Sequence, residues 1–137
     1  MAFYRASIGG GGGGTETETT LWTNPSPSSA FGQQEVSLSS AYTNFKRLRF
    51  YYKAISSSAE TSAEYQKSVI SSWIQYGTTV SNGDTEGMLG GNYNAWYARQ
   101  VRRGSTDSKI FFSTGTRLNA SGTNGSVCIP TKITGII

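Results

Sequence analysis

Asn44–Ile55 reads NFKRLRFYYKAI, and this stretch decides the fold. Leu48, Phe50, Tyr52 and Ala54 alternate strictly with Arg47, Arg49, Tyr51 and Lys53. A period of two puts the first set on one side of a β-strand and the charged set on the other. A helix would scatter both sets around its axis. The strand therefore has a core face and a polar face.

The neighbouring runs repeat this style. Thr17–Thr23 ends in Leu21-Trp22 and stops at Asn24-Pro25-Ser26-Pro27, a strong turn signal. Gln33–Ser39 alternates with Val36 and Leu38 on one face. Tyr93–Arg103 and Lys109–Ser113 form a predicted hairpin around the turn Gly104–Ser108. Val127–Ile137 is an apolar closing strand that Pro130 directs to a sheet edge or a bulge. Ser56–Ser62 and Gly77–Asn92 read as loops, the second with a short turn at Met88-Leu89, and Asn119–Ser126 is rich in turn residues. Ala63–Tyr76 fits two descriptions. Tyr65, Val69 and Trp73 have helical spacing, but Ser68, Ser71 and Ser72 are weak helix formers and Val69-Ile70 favours strand, so strand is the reading adopted. Seven or eight short strands imply an all-β chain folded as one antiparallel β-sandwich, jelly-roll-like, over residues 15–137.

Ahead of that domain stands MAFYRASI, Met1–Ile8, followed by six glycines, Gly9–Gly14. Six glycines favour no regular structure and span roughly 14 Å on average. Residues 1–14 thus read either as a docking arm on a flexible tether, with Phe3, Tyr4, Arg5 and Ile8 as its contact residues, or as a frayed terminus.

Composition excludes several chemistries. The 137 residues include no histidine and one cysteine, Cys128. Ser-His-Asp and Cys-His catalysis are ruled out, as are zinc sites built on histidine or paired cysteines and any intrachain disulfide. Cys128, between Val127 and Ile129, reads as a small buried hydrophobe. Asn82–Gly87 resembles half of a calcium loop, but the twelfth position is Tyr93 where a bidentate glutamate belongs, so an ordinary polar loop is expected. Asp84 and Glu86 could stand at the separation glycoside hydrolysis needs, yet their glycine-rich loop offers no apolar pocket to tune them. No enzyme activity, metal or cofactor is expected. The N-terminus lacks a signal-peptide core and no run is long enough to span a membrane, so synthesis in the cytoplasm and no membrane insertion are expected.

A net charge of +4 is scattered along the chain, which suits a solvated surface better than a nucleic-acid site. Two strand faces are candidates for binding. Arg47, Arg49, Tyr51 and Lys53 share one, and Tyr97, Arg99 and Arg103 share another. Were these strands neighbours, they would make a cationic, aromatic surface for an acidic partner or a phosphate-rich glycopolymer. The plain alternative is the solvent side of a sheet. Trp96, after a glycine-rich loop, could stack on a sugar ring; the plain alternative for it and for Trp22 and Trp73 is packing.

Several phrases together resemble the C-terminal modules of structural proteins from tailed phages, of the tail-fibre, minor tail or head-fibre type. They are Leu21–Pro27 (LWTNPSP), Phe31–Gln34 followed by Val36 and Leu38, Arg49–Tyr52 (RFYY) and Cys128–Ile136 (CIPTKITGI). The resemblance covers Leu21–Ile137 and implies a non-catalytic virion protein, commonly an oligomer. A homotrimer is the form expected of fibre-like proteins. Other capsid or tail proteins would be its partners, and a host-surface glycan a further one. A carbohydrate-binding module is the alternative, and a glycan-degrading enzyme a more distant one.

Overall fold

The computed structural model describes residues 16–92, 96–117 and 125–137. Its strands are β1 (Glu18–Thr23), β2 (Gln34–Ser37), β3 (Arg47–Ile55), β4 (Glu60–Gln66), β5 (Gly87–Asn92), β6 (Trp96–Arg103), β7 (Lys109–Phe112), β8 (Thr116–Arg117) and β9 (Val127–Ile136). One short helix, α1 (Lys67–Ser71), follows β4, and a 3-10 turn at Tyr42–Asn44 precedes β3. The strands form two antiparallel sheets. Sheet A has the order β1-β9-β3-β4, and sheet B has the order β2-β7-β6-β5 with β8 beside β6. The chain passes from sheet A to sheet B and back over β1, β2 and β3, then returns at the end to lay β9 between β1 and β3. This is a jelly-roll-like sandwich.

The alternation in β3 does what its sequence implies. Leu48, Phe50 and Tyr52 are buried, and Arg47, Arg49, Tyr51 and Lys53 lie on the other face. Opposite them, sheet B contributes Val36, Leu89, Val101, Ile110 and Phe112 to one continuous core. Its centre is aromatic. Phe112 meets Phe31, Trp22 and Phe50 at ring separations of 5.6, 6.0 and 6.3 Å. Tyr52 ties the sheets together by donating its hydroxyl to the Gly90 carbonyl at 2.6 Å, and Tyr65 does the same to Met88 at 2.6 Å.

Three local expectations need correction. Glu60–Ser62 belongs to β4 and not to a loop, because an edge strand with polar side chains on both faces carries no apolar alternation. The 63–76 segment divides: Ala63–Gln66 is strand, whereas Lys67–Ser71 is helical and buries Ile70. Gly87–Asn92 is a strand despite Gly87, Gly90 and Gly91. At Gly87 the Trp73 indole sits where a side chain would begin, with Cβ-to-ring distances down to 2.4 Å, so that glycine is a packing requirement. Of the edge or bulge that Pro130 implies, β9 has the bulge and lies inside its sheet. Pro130 faces Tyr52 beside a bulge between Tyr51 and Tyr52, while β1 pairs with β9 only from Lys132 onward. A proline fits there because no second strand needs its N–H.

Candidate functional site

The outer face of sheet A is where the first candidate surface falls. Arg47 pairs with Glu16 and, at 2.5 Å, with Glu64. Arg49 pairs with Glu18 at 2.9 Å and with Glu64. Tyr51 donates its hydroxyl to Glu18, Thr134 donates to the same carboxylate at 2.6 Å, and Lys132 lies over the Tyr51 ring at 4.4 Å. Lys53 stands opposite Glu60 in the ladder. Because β9 lies between β1 and β3, the Arg47–Glu16 and Arg49–Glu18 pairs reach across it. They cover Ile136 and Thr134, each 1% exposed, and this is why β9 is buried on both faces.

The expected cationic surface is therefore corrected. Arg47, Arg49, Lys53 and Lys132 are matched there by Glu16, Glu18, Glu60 and Glu64. The face is polar, neutral in sum and internally bonded, so it offers a polyanion no excess charge. Burial pushes the Glu18 carboxyl up, but hydrogen bonds from Thr134 and Tyr51 and the charge of Arg49 outweigh it and hold its pKa below 4.5. The hydrogen bond from Arg47 lowers that of Glu16. For Arg49, burial works against the charged form, while its bonds to Tyr51 and Glu64 and the nearby carboxylates raise the pKa on balance.

These shifts have a pH consequence. A carboxyl whose pKa is depressed by folding adds stability above its unfolded value, and that stability is lost as pH falls through the folded value. The melting temperature is expected to be flat above about pH 5 and to drop as pH falls below the ordinary value of 4.5. Glu18→Gln should melt lower at pH 7 and show a shallower acid limb. Equal acid limbs for both proteins would remove Glu18 from the account.

The second candidate face is corrected more sharply. β3 and β6 lie in different sheets, so their charged faces never adjoin. Tyr97, Arg99 and Arg103 face inward. Tyr97 packs against the core, and Arg103 donates Nε to the Trp73 carbonyl at 2.8 Å. Arg99 is 1% exposed. Its Nε donates to the Cys128 carbonyl at 3.0 Å, Nη1 to Phe31 at 2.9 Å and Ser113 at 2.6 Å, and Nη2 to Gly125 at 3.2 Å and Val127 at 3.0 Å. Its guanidinium also stands over the Phe31 ring at 5.3 Å. Burial draws its pKa from 12.5 to about 10, partly offset by Cys128, so it stays charged at neutral pH.

The backbone bends to serve this cation. Successive carbonyls of an extended strand point to opposite sides. Cys128 has φ of 47°, a conformation rare for residues other than glycine, and the carbonyls of Val127 and Cys128 both meet Arg99. At Ser113 the carbonyl turns to Arg99 while the hydroxyl accepts the Gln100 N–H at 2.9 Å. This is where β7 stops before β8 resumes alongside β6. Cys128 is fully buried, and burial raises its pKa to about 11. Sequence reasoning missed Arg99 as a structural centre. The available signal was its place in phase with Val101, whose partner across the hairpin is Phe112.

Other candidates fall apart or stay open to solvent. Asp84 caps its own turn by accepting the Ser81 N–H at 2.6 Å, and Glu86 pairs with Arg102 at 2.7 Å. Those two carboxylates are engaged separately. Trp73 is core and Trp22 half-buried against it, whereas Trp96 is 59% exposed on the outer face of sheet B, with Met88 51% exposed on the neighbouring strand. Phe3, Tyr4, Arg5, Ile8 and the Gly9–Gly14 tether lie outside the described residues. No helix among the described residues is long and apolar enough to cross a membrane. In comparison with known proteins, no family model matches this chain and no curated protein matches it.

Proposed function

We propose that the chain is a non-catalytic structural protein of a phage particle, of the tail-fibre or head-fibre and decoration type. It is made in the host cytoplasm and docks onto other proteins of the virion through the arm Met1–Gly14, as a homo-oligomer of trimer form. The observation that carries this reading is a sandwich with a continuous core of its own between the two sheets. Among the described residues, the buried hydrophobic side chains of the core run from Leu21 to Ile136 and pack the two sheets against each other. β1, the strand that follows the arm in sequence, is at an edge of sheet A. An apolar closing strand at a sheet edge would invite pairing with a neighbour, but β9 is interior to its sheet and gives the oligomer no such support.

Deleting Met1–Gly14 is expected to leave the far-UV circular dichroism of a β-protein unchanged and to cut incorporation into purified virions at least tenfold, read by immunoblot. Normal incorporation of the deleted chain would refute the docking role. A second reading, a module for a host-surface glycan, is favoured by Trp96, an exposed aromatic side chain on the outer face of sheet B. On a glycan array it predicts saturable binding that Trp96→Ala removes, and no binding by the parent protein would end it.

A further inference from the structure

Among the described residues, no strand closes the side of the sandwich between β1 and β2. Among the described residues, β2 is the edge of sheet B and pairs with β7 alone. Leu38 donates its N–H to the Ser108 carbonyl at 2.8 Å, at the end of this ladder. Antiparallel pairing alternates, so Gln34, Val36 and Leu38 turn their backbone groups toward β7, and Glu35 and Ser37 turn theirs away. On that outward side lies a groove of about 440 Å³ between β2 and the 24–31 segment, with Trp22, Phe31 and Val36 among its lining. The bond from Ser39 N–H to the Leu21 carbonyl, 2.9 Å, marks where β1 and the chain beyond β2 come together. Outward-facing backbone donors and acceptors beside a groove of mixed polar and apolar lining are what an extended segment pairs with.

Charge narrows the choice of segment. Glu35 takes the Ser105 N–H, and among the described residues no cation stands within ion-pair distance of it. Its side chain lies on the outer face with Phe111, its partner on β7, while Val36 points inward.

We propose that this groove receives the Met1–Ile8 segment of a neighbouring copy, added as a strand along β2. The inference rests on the reading of Met1–Ile8 as a docking arm, and it gives that arm a further partner, a second copy of this chain, beside the other virion proteins. MAFYRASI carries Ala2, Tyr4, Ala6 and Ile8 on one side of an extended chain and Phe3, Arg5 and Ser7 on the other. With the first set against the groove floor, Arg5 comes onto the face that holds Glu35. Reach favours a neighbour. Glu16 stands six residues before Trp22, roughly 20 Å along a strand. The seven residues Gly9–Thr15 span roughly 15 Å on average, so the chain's own groove would need the tether stretched. A second copy places no such demand on it.

The test uses full-length chains. A tagged Ser37→Cys chain is mixed with untagged Ser7→Cys or Phe3→Cys chains and mildly oxidised. With Arg5 opposite Glu35, parallel addition brings residue 7 to residue 37, and antiparallel addition brings residue 3 there. The native Cys128 is fully buried and stays silent. One of the two mixtures should give a reducible heterodimer. Glu35→Arg on the tagged chain should lower its yield at least fivefold, and Arg5→Glu on the other chain should restore it. The proposal is overturned by no heterodimer in either mixture, by a disulfide that forms only within a doubly substituted chain, or by a yield indifferent to the charge exchange. Any of these would leave the effect of arm deletion on virion incorporation untouched, so the two readings fail separately.

Discussion

Arg99→Met is expected to lower the unfolding free energy by about 4 kcal/mol, a loss comparable to breaking a buried ion pair from one side. The arginine has no carboxylate partner among the described residues. Its donors serve five backbone carbonyls, from Phe31, Ser113, Gly125, Val127 and Cys128. Methionine fills a similar volume and leaves those acceptors without a donor, each costing about 1 kcal/mol or more where water cannot reach. Arg99→Lys keeps the charge but has three donors on one atom, so it should fall between the two. Domains of this size are stable by roughly 5–15 kcal/mol, so Arg99→Met should melt on the order of 15 °C lower. Arg49→Met on the outer face of sheet A is the control, with a loss of about 1 kcal/mol. Urea unfolding of the three variants would settle the matter, and an Arg99→Met loss no greater than that of Arg49→Met would refute the role assigned to Arg99.

Phe112→Ala should cost about 3–5 kcal/mol, the range for emptying a large aromatic site in a packed core. Phe112 is fully buried and its ring is shared by Trp22 and Phe50 of sheet A and by Phe31 of the loop between β1 and β2. No single neighbour can move to fill the space without leaving another. Phe112→Leu should cost less than half as much. The denaturant midpoint should shift while the slope stays constant. A loss under 1 kcal/mol for the alanine variant would mean that the sheets collapse onto the gap, against the rigidity argued for this core.

How far the sequence could be read depended on where side chains had two distinguishable environments. β3 was legible because one face is core and the other is solvated, so its alternation is complete. β5 was not, since Gly87, Gly90 and Gly91 look like a loop until Trp73 is placed against Gly87. β4 carries Glu60, Thr61 and Ser62 in the open, and a strand polar on both sides has no period to detect. In β6 the alternation is real but its phase is ambiguous. Tyr97, Arg99, Val101 and Arg103 look more polar than a core face should, and only the Val101–Phe112 pairing fixes them as the inner set. The surface formed by β3 was misread for a different reason. The arginines were visible, but the glutamates that neutralise them come from β1 and β4, and only the topology brings them there.

The place of β9 has a kinetic side. Glu18 and Thr134, joined by a hydrogen bond, are 116 residues apart in the chain, and among the described residues β1 finds its sheet partner in that last strand. Sheet A cannot form its middle until nearly the whole chain has been searched, whereas the hairpins β3–β4 and β5–β6 can close early and locally. Chains dominated by distant pairings fold in roughly milliseconds to seconds, slower than those built from local contacts. During that interval β1 and the core-facing side of β3 stand exposed, and the passing vulnerability of this protein is therefore concentrated in one half of its sandwich.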